Sequence, residues 1–341
     1  YEARKFGVHS AMPIFQAKRL CPHGIFVSVN MHRYKEFSRH VMTLVNEISP
    51  LVEQISIDEA YVDITGLESL HGAPQDLALR VKEAIRTQTS LACSIGIAPN
   101  KFLAKIASDM NKPDGLMILA EKDVEKFLKS LPIDKIPGIG KKTSQALKDL
   151  GVSMASDILR FPVSFWAKRF GKYGAKLYDK AQGIDRSRVV PHSPPKSCSA
   201  EDTFPKDIIS REELHKWLLA QAENVGRDLR RDGLLGRTVT LKVKFSDFKV
   251  VTRSRTLHEP TNCTGMIFAV AGQLLNELNI HNTVRLTGVG VSNLCAGARQ
   301  MKLFREAAAV KQEQLDRAMD DIRSRFGKEA LKRGLLFDFE P

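Results

Sequence analysis

Residues 56–63, Ser-Ile-Asp-Glu-Ala-Tyr-Val-Asp, place two adjacent acids between two short apolar stretches. Isoleucines alternate with polar residues before Asp58, and Val62 alternates with polar neighbours after Glu59. Alternation with a period of two is typical of β-strands. The stretch therefore predicts two strands joined by an acidic turn.

The residues around this stretch predict helices that alternate with strands. An amphipathic helix is indicated from Phe37 to Ile48, before the acidic turn. A helix around 76–87 and a strand over 91–97 are indicated after it. Farther upstream, Pro13 is placed to begin a short helix in a small basic segment. This order of elements predicts an α/β layer with an antiparallel sheet.

The adjacent acids favour metal chemistry, although they do not establish it. Two neighbouring carboxylates repel each other, and a hard divalent cation that takes oxygen ligands from both relieves the repulsion. Two Mg²⁺ ions held there would activate a 3′-hydroxyl and neutralise the charge on a leaving pyrophosphate. The alternative is a solvated acidic turn, and Asp58 and Glu59 alone do not decide between the two. We assign Asp63 a structural role.

Residues 121–185 predict a small all-helical domain, because strand signals vanish and glycines separate short helices. Gly138 and Gly140 precede Lys141 and Lys142 at the start of one such helix. Backbone N–H groups at a helix start, exposed by glycines, favour an anion. The pattern fits a helix-hairpin-helix that holds a DNA phosphate without reading sequence, and a plain helical turn is the alternative.

A proline-rich stretch, residues 187–197, predicts an extended linker to another domain. The pattern beyond it has the order β-α-β-β-α-β, the plan of a split β-α-β fold. One predicted strand alternates apolar residues with Lys242 and Lys244, and the next adds Arg253 and Arg255. We predict a one-sided basic sheet that suits a DNA duplex, with an ordinary solvated face as the alternative.

Composition bounds the classes of protein that fit. A chain of 341 residues is too long for a single hydrophobic core of ordinary size, so we expect more than one domain. Its formal net charge of +13 favours binding to an extended polyanion such as nucleic acid. A merely basic soluble protein also fits this charge. The cysteines are odd in number and form no C-x-x-C pair, which indicates neither a disulfide framework nor a zinc ribbon. No apolar run reaches the length of a membrane span, so we expect no membrane partner and a cytoplasmic location.

Three further features lie outside these elements. Basic residues that include Arg4 near the start, and Lys112 after a predicted helix over 101–110, are candidates to bind a triphosphate. Residues 300–304, Gln-Met-Lys-Leu-Phe, form an apolar hook suited to a partner's pocket. The segment from about residue 306 predicts a charged helix with one apolar face, either solvated or bound to a partner. Its face is formed by Leu315, Ala318, Met319 and Ile322.

With these pieces in order, the chain resembles the Y-family translesion DNA polymerases. The resemblance covers nearly the whole chain and weakens after about residue 306. The motifs that carry it are Tyr1 to Val8 (YEARKFGV), Ser56 to Tyr61 (SIDEAY), Lys101 to Gly115 (KFLAKIASDMNKPDG) and Ile136 to Gly140 (IPGIG).

The resemblance implies a right-hand polymerase of α+β class, with a palm of ferredoxin-like antiparallel sheet plus helices. The implied bounds are 1–30 for fingers, 31–119 for palm, 120–186 for a helix-hairpin-helix thumb, 187–196 for a linker, 197–304 for a β-α-β-β-α-β little finger and 305–341 for a tail.

The resemblance also implies the roles of site residues. Asp58 and Glu59 match catalytic ligands of two Mg²⁺ ions, while Tyr1, Arg4 and Lys112 match contacts to an incoming deoxynucleoside triphosphate. Gln300, Leu303 and Phe304 resemble a peptide that binds the bacterial sliding clamp. Primer-template DNA is the implied substrate, and a monomer is expected.

One departure concerns the start of the chain. Family members open with a strand that carries another metal-binding Asp, followed by an aromatic residue that excludes ribonucleotides. This chain begins at Tyr1 without either, so we expect an upstream segment and poor binding of catalytic metal by the chain as written.

The function expected is DNA-templated nucleotidyl transfer that tolerates damaged templates without proofreading. The alternatives are a non-catalytic, clamp-associated DNA-binding scaffold and a nucleotide cyclase that acts without DNA.

Overall fold

The chain folds into two compact units that meet in sequence between Ser193 and Pro194, within the predicted proline-rich linker. The computed structural model describes residues 1–296 and 307–339. Each unit contains its own hydrophobic cluster of buried side chains. Two cores are therefore formed, one on each side of the linker.

The first unit begins as a mixed α/β layer and continues as helices alone. Its helices are α1 (Ile14–Leu20), α2 (Met31–Asn46), α3 (Glu68–His71), α4 (Pro74–Thr89), α5 (Lys101–Met110), α6 (Val124–Ser130), α7 (Lys141–Lys148), α8 (Val163–Phe170) and α9 (Lys172–Ala181). Its strands are β1 (Val52–Gln54), β2 (Ala60–Val62), β3 (Ile95–Ile97) and β4 (Leu116–Ile118). The predicted helical character of 121–185 is confirmed.

The strands of the first unit form two separate pairs. β1 and β2 pair antiparallel, with Gln54 opposite Ala60, as predicted for the strands beside the acidic turn. β3 and β4 pair in parallel, which differs from the antiparallel layer predicted. The physical reason is that α5 connects them as a crossover helix, and such a connection returns the chain in the same direction.

One hydrophobic cluster joins the predicted palm and thumb regions. Leu103 and Ile106 of α5 belong to the same buried cluster as Leu147 of α7 and Trp166 of α8. The indole N–H of Trp166 donates to the Ile158 carbonyl at 2.8 Å, which satisfies its polar atom in the core. The predicted boundary near residue 120 therefore does not separate two cores.

The second unit has the predicted β-α-β-β-α-β order. Its elements are β5 (Ser197–Ile208), α10 (Arg211–Arg231), β6 (Leu234–Phe245), β7 (Val250–Thr261), α11 (Thr264–Glu277) and β8 (Val284–Ala296), followed by α12 (Ala307–Phe326). The strands lie in the order β5-β8-β6-β7, and each neighbouring pair is antiparallel. Ser210 Oγ accepts the Glu213 N–H at 3.4 Å and caps α10, as its position predicted.

Both helices of this plan cover one face of the four-stranded sheet. Leu218 of α10 and Ile267 of α11 belong to one buried cluster with Val239, Leu241 and Val243 of β6. The predicted alternation along β6 is therefore confirmed, since these three side chains are buried while Lys242 and Lys244 are partly exposed. The face that carries the lysines has no helix packed on it within the described part of the unit.

The helix α12 packs on its own unit through charged residues together with Met319, one of the four residues of its apolar face. Asp316 and Met319 are buried, whereas Leu315 and Ile322 remain exposed. Asp316 lies 3.2 Å from Arg230 and 2.5 Å from Arg333. The sequence predicted a segment that is solvated or bound to a partner, whereas these ion pairs attach α12 to its own unit.

A helix that crosses a membrane must be long and predominantly apolar. Within 1–296 and 307–339, none is both long and apolar enough to cross a membrane.

Candidate active site and nucleic-acid interface

The acidic pair lies on the turn between β1 and β2. The Glu59 carbonyl accepts the Ile55 N–H at 2.9 Å and closes the turn, so Asp58 and Glu59 project from a fixed backbone. Asp58 is exposed and Glu59 is partly exposed. The turn therefore presents two adjacent carboxylates to solvent from a paired strand end, as the sequence predicted.

Each carboxylate of the pair is engaged through one oxygen. Ser56 Oγ donates to Asp58 Oδ1 at 2.6 Å, and Lys105 Nζ donates to Glu59 Oε1. The second oxygen of each acid makes no hydrogen bond or ion pair with the residues described. Two hard oxygen donors are thus left available on neighbouring side chains, which suits a divalent cation.

Residues of α5 link the acidic turn to the predicted triphosphate-binding lysine. Lys105 contacts Glu59 and lies 3.9 Å from Asp109, and Asp109 lies 2.6 Å from Lys112. Burial alone would lower the pKa of Lys105, but the hydrogen bond with Glu59 and the charges of Asp109 and Glu59 raise it. Lys105 is therefore held as a cation between the two acids. Sequence reasoning missed Lys105 and Asp109, although their spacing of four residues on a helix was a usable signal.

A second set of contacts holds the loop that carries Lys112. Lys82 of α4 donates to the Cys93 carbonyl at 2.6 Å and to Asp114 Oδ1 at 2.5 Å, and Arg86 also contacts the Asp114 carboxylate. The hydrogen bond from Lys82, with the nearby positive charges, lowers the pKa of Asp114. Asp114 therefore remains a carboxylate that fixes the loop two residues beyond Lys112.

A third missed residue, Glu53 of β1, joins the strand beside the acidic turn to the chain after the helical region. Its carboxylate accepts Lys101 Nζ at 2.5 Å and the Val190 N–H at 2.8 Å. Burial would raise the pKa of Glu53, but these two hydrogen bonds lower it. Lys101 also lies 4.9 Å from the centre of the Tyr61 ring. The strand that supports the acids is thereby fixed from its side.

Tyr1 and Arg4 lie on a short turn at the start of the chain, which includes a 3₁₀ helix over Ala3–Phe6. The Arg4 guanidinium lies 4.9 Å from the centre of the Tyr1 ring, so the two residues contact each other. Neither makes a hydrogen bond or ion pair with Asp58 or Glu59 within the described chain. The described residues therefore connect Lys112 to the acidic turn through Asp109 and Lys105, and they show no such connection for Tyr1 or Arg4.

The donor set fits part of a magnesium site. Asp58 and Glu59 offer the carboxylate oxygens that Mg²⁺ prefers, together with phosphate and water ligands. No group of three or more Asp, Glu, His and Cys side chains in the described ranges could by itself enclose a metal ion. Asp58 and Glu59 are thus suited to supply part of the coordination sphere of a metal ion, with phosphate and water as the other ligands.

The predicted hairpin lies before α7. Gly138 has a φ of 95°, a left-handed conformation that glycine adopts without strain. Gly140 precedes the first turn of α7, and no side chain of the described residues caps the N–H groups there. Lys141 and Lys142 are exposed at the same helix end. Free N–H groups and two lysines together form a surface suited to a backbone phosphate.

The open face of the second unit carries Lys242 and Lys244 among small polar residues. Lys242 lies 2.7 Å from Glu201 of β5, while Lys244 makes no ion pair within the residues described. The neighbouring positions on this face carry mainly hydroxyl groups and glycines. They include Ser199, Thr203, Thr238, Thr240, Thr252, Ser254, Gly288 and Gly290.

Arg253 and Arg255 lie on the opposite face from the two lysines, which corrects the predicted one-sided basic sheet. In the β6–β7 register Arg253 stands opposite Leu241 and Arg255 opposite Val239, and directly opposed residues share a face. Arg255 donates to Gln273 and Glu277 of α11, each at 2.6 Å. The sequence did not reveal the register, and a shift of one residue exchanges the two faces of a strand.

The predicted clamp-binding residues Gln300, Leu303 and Phe304 lie outside the described residues. Their role stays a prediction from the sequence.

Comparison with family models covers both units. The model described as the impB/mucB/samB family matches residues 1–109, and its C-terminal domain matches residues 195–303. The model described as the IMS family HHH motif matches residues 121–152, which include the hairpin glycines. A DNA polymerase IV of Dehalococcoides mccartyi (strain CBDB1) is 38% identical over 339 residues, which cover 99% of this chain and 86% of the relative. The chain belongs to the impB/mucB/samB family.

Other members of this family and solved structures agree with the assignment. A DNA polymerase IV of Moorella thermoacetica is 39% identical, over 98% of this chain and 84% of the relative. A Y-family DNA polymerase chimera of Dbh and Dpo4 superposes with a TM-score of 0.77 at 29% identity, over 87% of this chain and 86% of the chimera. The crystal structure of DinB from Sulfolobus solfataricus gives a TM-score of 0.57 at 30% identity, over 86% of each chain.

Membership of the impB/mucB/samB family confirms the Y-family resemblance carried by the sequence motifs. It also confirms the predicted fold class, with a helix-hairpin-helix in the first unit and a β-α-β-β-α-β sheet in the second. The chain is therefore a member of a DNA polymerase family with the fold of one.

Proposed function

We propose that the chain is a DNA-directed DNA polymerase that performs low-fidelity translesion synthesis in DNA damage tolerance. The observation that carries the proposal is the acidic turn. Asp58 and Glu59 each keep one oxygen without a hydrogen bond or ion pair to the described residues, and the charged residues Lys105 and Asp109 of α5 lead from this turn to Lys112. Relatives named DNA polymerase IV support it. The reaction is transfer of a nucleotide to a primer 3′-hydroxyl.

Asp58 and Glu59 are the residues that would hold Mg²⁺. Two bound Mg²⁺ ions supply Lewis-acid activation of the 3′-hydroxyl and neutralise charge on the departing pyrophosphate. Lys105 holds one oxygen of Glu59 and so orients the other toward the site. Lys112, on a loop fixed by Asp114, provides a point charge for the triphosphate.

Primer-template DNA and deoxynucleoside triphosphates are the proposed substrates. Solved ternary complexes of the related Dbh polymerase support this choice. Tyr1 and Arg4 are proposed to contact the incoming triphosphate, where the planar guanidinium fork suits phosphate oxygens. The α7 hairpin and the lysines of the open sheet face are proposed to hold the DNA backbone.

Primer extension with Mg²⁺ on undamaged and lesion-containing templates tests this function. A translesion polymerase extends the primer past the lesion and requires both template and metal. A non-catalytic scaffold would bind the same DNA without extension, and a cyclase would turn over nucleotide without any DNA. Either of these two results would overturn the proposal.

Charge reversal at the hairpin should weaken duplex binding. In the variant Lys141→Glu with Lys142→Glu, we expect lower affinity for every DNA sequence, because backbone phosphates are the contact. The slope of log affinity against log salt should flatten by roughly one unit per lost phosphate contact. Fluorescence anisotropy with a labelled duplex at several salt concentrations measures both.

A matched control reverses two lysines elsewhere in the same region. Lys126→Glu with Lys148→Glu changes the net charge equally at exposed positions outside the first turn of α7. This control variant should lower the affinity for DNA less than the hairpin variant does. It should also retain most of the slope of log affinity against log salt. Equal effects of the two variants would show that general charge, and not the hairpin, binds the duplex.

Deletion of residues 300–304 should separate partner binding from catalysis. We propose that this peptide binds the bacterial sliding clamp, so its loss should abolish clamp-stimulated synthesis and spare basal synthesis. Primer extension with and without the clamp measures the two activities. If basal synthesis collapses, the peptide is part of the fold.

A further inference from the structure

The turn between β6 and β7 contains a phenylalanine in an unfavourable backbone conformation. Phe248 has a φ of 68°, in the left-handed region that bulky residues rarely adopt. The turn holds it there, since the Phe248 N–H donates to the Phe245 carbonyl and the Phe245 N–H donates to the Lys249 carbonyl, each at 2.9 Å. Glycine or asparagine would adopt this conformation at lower cost.

Burial in the core does not offset this cost. Phe248 is 61% exposed, in contrast to the fully buried Phe245 three residues earlier. The Phe248 ring contacts two cations. Lys244 Nζ lies 4.6 Å from the ring centre, and the Arg285 guanidinium carbon lies 5.3 Å from it. A cation over an aromatic face is attracted by the ring quadrupole, so both contacts are favourable.

The Phe248 ring contacts two like charges that come from different strands. Lys244 is near the end of β6, and Arg285 is the second residue of β8. Arg285 has a weak ion pair with Asp207 at 3.7 Å, and Lys244 has none within the described residues. The cluster of Phe248, Lys244 and Arg285 therefore keeps an excess of positive charge at the edge of the open sheet face.

The chemistry of this cluster matches a phosphodiester. One phosphodiester carries a single negative charge on two free oxygens, which a lysine point charge and an arginine fork can bind together. The adjoining open face offers hydroxyl groups of Thr240 and Thr252 beside Lys242, with no helix over it in the described unit. A DNA backbone laid along this face would place phosphates near the cluster.

We propose that Phe248 is a positioning residue whose ring holds Lys244 and Arg285 side by side, so that the two cations bind one phosphate of the DNA backbone. This inference rests on the proposed function, because it takes DNA as the polyanion. The unfavourable backbone conformation of Phe248 is then the energetic cost of placing an aromatic ring between the two cations. A glycine or asparagine would form the turn at lower cost but would provide no ring.

The test uses opposite effects on stability and on DNA affinity. In Phe248→Gly the backbone strain is relieved, so the thermal midpoint should be unchanged or higher. The affinity for a labelled primer-template duplex should nevertheless fall about three- to tenfold, because the cations lose their fixed positions. Phe248→Tyr, which keeps an aromatic ring, should retain the affinity of the original protein.

A double-mutant cycle isolates the coupling between the ring and the lysine. Lys244→Ala should weaken DNA binding by about tenfold in the original protein but by about twofold or less in the Phe248→Gly background. Phe326→Ala, at a phenylalanine that is 74% exposed on α12, is the control and should leave affinity unchanged. Equal effects of Lys244→Ala in both backgrounds, or unchanged affinity in Phe248→Gly, would overturn the inference.

The same experiment separates this inference from the proposed function. If the original protein binds and extends the primer-template while Phe248→Gly binds it equally well, only the role of Phe248 fails. If the original protein does not bind the primer-template at all, both fail.

Discussion

Primer extension should fall at least about a hundredfold in Asp58→Asn and in Glu59→Gln, while affinity for primer-template DNA is retained. Each substitution keeps the shape of the side chain but removes a negative charge and a strong oxygen ligand for a divalent cation. The extension rate should fall because the chemical step is slower, since neither acid is proposed to contact DNA. Single-turnover extension by the full protein, with separate measurement of DNA affinity, distinguishes the two effects.

Asp63 provides the matched control for the acidic pair. Its Oδ1 accepts the Thr65 N–H at 3.0 Å, and hydrogen bonds from Thr65 lower its pKa. The amide of Asp63→Asn can accept the same hydrogen bond, so the rate of extension should stay close to that of the original protein. An unchanged rate in Glu59→Gln, or an equal loss in Asp63→Asn, would refute the assignment of the metal ligands.

Asp316→Ala should destabilise the second unit by about 3–5 kcal/mol, because it removes one side of a buried ion-pair network. The Asp316 side chain is 1% exposed and contacts Arg230 at 3.2 Å and Arg333 at 2.5 Å. It also accepts the Thr264 N–H at 2.8 Å at the start of α11. Without it, among the described residues Arg230 keeps only Asp320 and Arg333 keeps only Glu223 as a charged partner, and the Thr264 N–H loses its acceptor.

The two tryptophans make this effect measurable in the second unit alone. Trp166 lies in the core of the first unit, whereas Trp217 lies in the second and contacts Phe339 near the chain end, with ring centres 4.9 Å apart. In a Trp166→Phe background, Trp217 fluorescence during urea unfolding therefore reports the second unit, including the packing of Phe339 on it. This avoids treating the whole chain as one two-state transition.

Asp321→Ala is the control for the buried network. Asp321 lies on the same helix, α12, but is exposed. Its loss should change the free energy of unfolding by less than about 0.5 kcal/mol. If Asp316→Ala costs no more than this, the network does not hold α12 against the second unit.

The placement of α12 bears on the proposed partner. The segment after residue 306 was expected to be solvated or bound to a partner. Instead, Glu223 of α10 lies 3.1 Å from Arg323 and 2.9 Å from Arg333, so these ion pairs attach the segment to its own unit. The proposed clamp peptide at 300–304 is thus flanked by β8 on one side and by a helix anchored to the same unit on the other.

Local sequence patterns determined much about this protein. Alternation identified β6, the glycines and lysines before α7 identified the hairpin, and the pair Asp58-Glu59 between two strands identified the acidic turn. These inferences succeed because strand periodicity, glycine conformation and neighbouring charges depend on residues close together in the sequence.

Only the tertiary structure decided which distant residues meet. The β6–β7 register placed Arg253 and Arg255 on the helix-covered face, ion pairs of Asp316 attached α12 to its own unit, and α5 brought Lys105 to Glu59. Register, helix rotation and ion pairing are set by contacts between elements far apart along the chain. A shift of one residue in strand register, for example, moves each side chain to the opposite face of the sheet without any change in the local sequence pattern.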